Sequence, residues 1–216
     1  MSHSCSNPKI TANPDNQSET NSTLAKASID SLSEYLKHQV TDRRGRSIPP
    51  LDKWHPERVG EMDLVIKANG EWWHEGSKIS RQSLVDLFST VLWREGTDEN
   101  SAYYLKTPVE KLRIKVEDVP FLITEVNVIE QEGTQTIEFI TSTGDVVHLD
   151  EDHPLQMGEY QGEQRPYIEV RFGMKGLLSR TVLMHLVKLG ELTEQDAQTS
   201  LILQSGGNAY SMTVAN

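Results

Sequence analysis

Cysteine is nearly missing: the 216-residue chain has one, Cys5, set in a polar stretch of Ser, Asn and Thr. A lone thiol excludes an internal disulfide framework and fits a reducing compartment, so the expected location is cytoplasmic. Long apolar runs are also absent. No segment approaches the roughly 18 consecutive apolar residues of a spanning helix, and Met1 to Thr23 has no apolar run, so neither membrane association nor a secretory leader is expected. Positive charge is scarce, with Lys and Arg totalling 21 against 32 Asp and Glu, a formal net charge of -11. Binding to extended nucleic acid is therefore not expected, since it needs many cations to displace counterions from phosphates.

Catalytic and metal signatures are missing too. There is no Gly-x-Ser-x-Gly elbow, no His-Glu-x-x-His, no calcium-loop frame around Asp150, Glu151 and Asp152, and no P-loop glycine spacing. The reading leans away from an enzyme, with no catalytic residue, metal or cofactor expected. His74, His148 and His153 as metal ligands form the sharp alternative.

What is present is unevenly charged. Between Val116 and Gln164 stand twelve acids and no Lys or Arg, whereas Arg165 to Lys188 holds five basic residues against Glu169 alone. A local basic face is thus compatible with an acidic protein. Residues 1–27 lack periodic apolar character and read as a disordered tail. Residues 28–48 read as an amphipathic helix, with Ile29, Leu32, Leu36 and Val40 at helical spacing, followed by a polar linker. Pro49 and Pro50 then hold the chain extended.

Residues 49–120 read as a first α/β unit. Asp63 to Lys67 and Glu71 to Glu75 flank Asn69-Gly70, whose tolerance of positive φ predicts a hairpin. Ser80 then caps a helical pattern of Leu84, Val85, Leu87, Phe88, Val91 and Leu92. Strands are expected at Tyr103 to Leu105, Leu112 to Val116 and Phe121 to Glu130. Residues 121–216 read as a second unit: an offset of 74 aligns Gly70 with Gly144 and His74 with His148, and an offset of 99 aligns Ser80, Arg81, Leu84 and Leu87 with Ser179, Arg180, Leu183 and Leu186. The expected fold is therefore α+β, two packed hairpin-plus-helix α/β units related by internal duplication.

Three clusters could carry binding chemistry. Gly76 to Arg81 lies at a strand-to-helix junction, where backbone N–H groups and cations suit a phosphate or carboxylate; a capped helix with surface cations is the plainer reading. Lys175, Gly176, Ser179 and Arg180 repeat that arrangement. Thr107, Glu110 and Lys111 follow Tyr104, whose ring could stack on a ligand while Glu110 and Lys111 orient it; a turn with a surface ion pair is the alternative. Trp54, Trp72 and Trp73 read as core or interface residues, with the two neighbours on a strand facing opposite ways.

Several separated motifs resemble a bacterial family, domain of unknown function 1285. They include Pro-Pro-Leu-Asp-Lys-Trp-His-Pro from Pro49, Glu-Gly-Ser-Lys-Ile-Ser-Arg from Glu75, Leu-Phe-Ser-Thr-Val-Leu from Leu87 and Tyr-Tyr-Leu-Lys-Thr-Pro-Val-Glu-Lys from Tyr103. Val-Glu-Asp-Val-Pro-Phe from Val116, Asp-His-Pro-Leu from Asp152, Arg-Pro-Tyr from Arg165 and Leu-Ser-Arg from Leu178 extend the resemblance to about Asn208. It implies a duplicated α/β core, a C-terminal half superficially like pleckstrin-homology folds, a ligand site between the halves, and a nucleotide-like ligand with a signalling role. Lys78 departs from the smaller or neutral residue frequent there, and the first 48 residues lie outside the pattern.

The expectation is a non-catalytic regulatory module binding a small anionic, nucleotide-like ligand between its halves. Arg81, Lys111, Arg171 and Arg180 would supply charge, Tyr104 stacking, and Thr107 and Glu110 polar contacts. A protein-interaction scaffold, its partner unspecified, and a hydrolase with an unfamiliar site are the alternatives.

Overall fold

The structure is a computed structural model that describes residues 48–97, 100–131, 133–195 and 198–215. The tail, the N-terminal helix and Cys5 lie outside the described residues. Among those described are fifteen strands and only two α-helices, so the expected α+β class is overturned: the protein is mostly β.

The first half runs β1 (Arg58–Ile66), β2 (Trp72–His74), β3 (Ser77–Lys78), α1 (Gln82–Ser89), β4 (Leu92–Glu95), β5 (Ala102–Lys106) and β6 (Glu110–Val116). The Asn69-Gly70 turn joins β1 to β2 with Leu64 opposite His74. Gly70 is at φ +84°, and a Cβ there would lie 2.9 Å from the Leu122 Cβ. Both the positive φ and the close approach of the second half demand glycine. Helix α1 buries Leu84, Val85 and Phe88 against the sheet, but is shorter than the apolar periodicity suggests: Val91 and Leu92 leave it, and Leu92 opens β4. Arg81, in extended conformation, precedes it without a side-chain cap.

The second half runs β7 (Phe121–Gln131), β8 (Thr134–Thr141), β9 (Val146–His148), β10 (Leu155–Tyr160), β11 (Glu163–Arg171), β12 (Met174–Leu178) and α2 (Arg180–Leu189). Ser179 caps α2, its hydroxyl accepting the Val182 N–H. A three-stranded antiparallel sheet of β13 (Glu191–Gln195), β14 (Gln198–Ser205) and β15 (Asn208–Ala215) ends the chain. Ser205 ties it to the second half, its Oγ donating to the Leu149 carbonyl and accepting the Ile137 N–H.

The two six-stranded sheets have the same strand order. In the first it is β3-β2-β1-β6-β5-β4, and in the second, reading from the other edge, β9-β8-β7-β12-β11-β10. Each is a pair of three-stranded meanders joined by one parallel pairing, β1 with β6 and β7 with β12. The hairpin-plus-helix unit is corrected by this topology. The Gly70 turn joins the first two strands of its sheet, the Gly144 turn joins the second and third of the other, and the helices fall at different points of the two halves. Local turn and cap chemistry recurs wherever a strand reverses or a helix starts, so short matches of that kind do not identify a repeating unit.

Buried residues of both halves form one apolar cluster, centred on Leu64, Ile66, Phe88, Leu105, Phe121, Ile123, Phe139 and Ile168. Arg171 donates from Nε to Asp145 Oδ1 of its own half at 2.8 Å and, across the junction, from Nη2 to the Ser89 carbonyl at 2.6 Å. Its guanidinium also lies 4.9 Å from the Phe121 ring centroid. The Arg171 and Asp145 side chains are 13% and 7% exposed, so removing either charge leaves the other buried and unpaired. Arg171→Ala is expected to lower the unfolding free energy by about 3–5 kcal/mol, measured by urea denaturation. Arg171→Lys, which keeps the charge without the fork, should recover only part of the loss.

Candidate functional site

The expected binding residues do not converge. Arg81 and Arg180 are exposed at the starts of the two helices. Thr107 is buried and closes a turn, its Oγ1 donating to the Glu110 carbonyl and accepting the Glu110 N–H. Glu110 opens β6 opposite Arg58. Lys111 meets Tyr104, its Nζ 4.8 Å from the ring centroid, but holds Glu95 at 2.6 Å. Arg171 bridges the halves, as described above. Lys78, at the other proposed anion site, pairs with Glu71 at 2.6 Å. His74, His148 and His153 face separate partners: the Asp63 carbonyl, Glu138 and Asp150.

The halves nevertheless enclose a cleft of about 340 Å³, lined from the first half by Arg94 and Tyr103, from the connector by Asp118, and from the second half by Met157, Tyr167 and Lys175. Strand pairing sets its walls. Arg94 on β4 stands directly opposite Tyr103 on β5, so both side chains share a face. Tyr104, the next residue, faces the other way toward Lys111. On β11, Tyr167 lies two residues from Glu169, which is opposite Lys175 on β12, so tyrosine and lysine also share a face.

Arg94 spans the seam, its Nη1 donating to the Gly173 carbonyl at 2.8 Å. Gly173 is at φ +69°, and a Cβ on it would lie 2.9 Å from that same nitrogen. A glycine is required for the turn and for the arginine's passage. Beside it, Trp93 meets Phe172 at 5.1 Å, and the buried Lys106 ammonium lies 3.9 Å from the Trp93 centroid. Burial, with Lys111 nearby, lowers the Lys106 pKa, while Glu95 and Asp52 oppose the shift.

The cleft floor is a clasp on the connector. The Asp118 side chain is 8% exposed and accepts from Arg165 Nη1 at 3.1 Å. It also accepts the Tyr167 hydroxyl at 3.0 Å. Arg165 in turn donates to Glu163 and lies over the Tyr160 ring at 4.6 Å. Burial first, and the adjacent Asp118 carboxylate second, push the Tyr167 phenol well above its usual value of 10.0. The cleft therefore presents two cations, two tyrosines and the exposed Glu159, with its most buried carboxylate, Asp118, already paired.

Sequence reasoning named Lys175 within a proposed anion site and quoted Tyr103, Asp118 and Tyr167 only as parts of motifs, and it did not single out Arg94. The available signal was alternation on β5: of two neighbouring tyrosines only one can face a given cavity.

A raised phenol pKa favours the native state while the phenol stays protonated. That contribution is complete below the unfolded value near 10 and is lost as pH rises above it. Alkaline unfolding at constant ionic strength should show stability falling as pH climbs past 10, with a shallower fall in Tyr167→Phe. Equal slopes would remove Tyr167 as the cause.

Comparison with known proteins bears on the whole described body. A family profile described as Domain of unknown function (DUF1285), N-terminal domain, matches residues 49–119. A second, Protein of unknown function (DUF1285), C-terminal domain, matches residues 120–212. The crystal structure of a DUF1285 family protein from Silicibacter pomeroyi DSS-3 is 33% identical, with a TM-score of 0.67, over 83% of this chain and 92% of that one. The crystal structure of a DUF1285 family protein from Shewanella baltica OS155 is 27% identical, with a TM-score of 0.46, over 59% of this chain and 91% of that one. No curated protein matches the chain.

Proposed function

This chain belongs to the DUF1285 family, and on that premise we propose that it is a non-catalytic regulatory module that binds a small anionic, nucleotide-like ligand in the cleft between its halves. The carrying observation is the convergence of Arg94, Lys175 and Tyr103 on one cavity built from both halves. A guanidinium and an ammonium recognise phosphate or carboxylate oxygens, and the Tyr103 ring and Met157 give a planar group an apolar surface. The volume lies at the lower end of the range for small-ligand pockets, which run roughly 300–1,000 Å³.

The non-catalytic part of the reading rests on the composition of the walls. Among the described residues no His or Cys lines the cleft, Asp118 is held by Arg165 and Tyr167, and the other carboxylate, Glu159, is exposed to solvent. A ligand touching both halves would favour one relative setting of them, which suits a signalling role. No helix among the described residues is long and apolar enough to cross a membrane. The scarcity of cysteine, with Cys5 alone, supports a cytoplasmic setting.

Thermal-shift screening of nucleoside phosphates and simple carboxylates tests the reading. A ligand at about 100 times its Kd adds about 2.7 kcal/mol, a rise of roughly 5–10 °C for a chain of this size. Lys175→Ala should weaken the effect at least tenfold, while Arg81→Ala and Arg180→Ala, on exposed positions, leave it unchanged. No response to any anion, or a response indifferent to Lys175, overturns the proposal.

A further inference from the structure

On the side of the molecule formed by α2 and β7, apolar surface is left open. Met184 is 51% exposed, Leu189 50%, Leu192 57% and Val128 43%. These are half of the large hydrophobic side chains exposed among the described residues. Val128 and Leu189 line a groove of about 340 Å³ together with Val126, Asn127, His185 and Lys188, and Met184 stands one helical turn before Lys188. Helix α2 uses Val182 and Leu186 to hold the sheet and turns Met184, His185, Lys188 and Leu189 outward. It carries Arg180, His185 and Lys188 and no acid, in a chain whose net charge is -11. Contiguous open apolar surface of this kind marks an interaction site, and a concave one beside a helix suits an amphipathic segment with acidic flanks.

The chain itself contains such a segment. From Ser28 to Val40, Ile29, Leu32, Leu36 and Val40 recur at helical spacing, and Asp30 and Glu34 stand one helical turn apart. The described chain begins at Ile48, beside Val146 and Arg171. Val146 pairs with Ile140 of β8, and β8 pairs with β7, so Ile48 enters about two strand spacings, roughly 10 Å, from the strand that forms the groove. Thr41 to Ser47 can span up to about 25 Å. The tether is long enough, and two of the segment's three charged side chains, Asp30 and Glu34, are opposite in sign to Lys188 of the groove; the third is Lys37.

We propose that this groove is the docking site of the chain's own segment Ser28–Val40. Its apolar stripe covers Val128, Met184 and Leu189, and its acids lie toward Lys188 and His185. The proposal is independent of the ligand reading of the cleft.

The full-length protein tests it. Leu32→Asp with Leu36→Asp alters none of the described residues, and hydrogen exchange followed by mass spectrometry reads the groove directly. Amides of 184–189 and 126–128 are expected to exchange at least threefold faster in the double variant, with increased binding of a hydrophobic dye. Unchanged exchange overturns the proposal. In a Cys5→Ser background, Leu36→Cys with Met184→Cys should form a disulfide under mild oxidation, within one chain and independent of protein concentration. A cross-link found only between chains would assign the groove to a second copy and overturn docking in cis.

Discussion

One arginine holds the two halves in register. The Arg171 guanidinium satisfies an orphan carbonyl at the end of α1, pairs with a carboxylate of its own half and packs against Phe121. Helix ends leave their last carbonyls without intrahelical donors, and here the donor comes from the other half of the molecule. Only a planar fork can reach two acceptors in different directions while an aromatic ring covers its face. Asp145 is positioned for the contact by the hydroxyls of Thr141 and Thr143 and by its own backbone N–H, which donates to Thr141.

The geometry of the cleft follows from that attachment. With the end of α1 fixed, β4 begins three residues later, and Trp93 and Arg94 meet Phe172 and Gly173 on the turn that follows Arg171. On the far side of the cleft, Asp118 is gripped by the second half, while the neighbouring Glu117 N–H donates to the Ile66 carbonyl of the first. The boundary between the halves therefore falls within two consecutive residues of the connector. The cavity lies between two attachments and is not a groove cut into either sheet.

Local chemistry was legible in the sequence, and pairing was not. The Asn69-Gly70 hairpin involves neighbours in the chain and appears as read, whereas the cap expected from Ser80 does not form: Arg81 precedes the helix with no side-chain cap. Fold class was misjudged because two clear helical patterns were taken as half of each unit, although they cover eight and ten residues among fifteen strands. The lining of the cleft was not legible for a related reason. Tyr103 and Tyr104 differ by one position, and which of them faces the cleft depends on the pairing of β5 with β4 across a loop. Arg171 reads as a ligand-binding cation in an apolar strand; its partner Asp145 lies 26 residues away with no local pattern joining them. A charged residue in a buried strand signals a partner, and sequence alone does not say whether that partner is protein or ligand.

The shared strand order has a consequence for synthesis. In each half the parallel seam joins the opening strand to the closing one, Arg58 beside Glu110 and Phe121 beside Gly176, more than fifty residues apart. Neither sheet can be completed on the ribosome until its last strand has emerged, so β1 and then β7 each wait with one edge open through most of their half's translation. Such late, non-local pairing slows folding and exposes edges to misassembly. The Phe121–Ile123 segment of β7, which carries the buried Phe121 and Ile123 of the seam, is thus left with an open edge until Gly176 to Leu178 emerge.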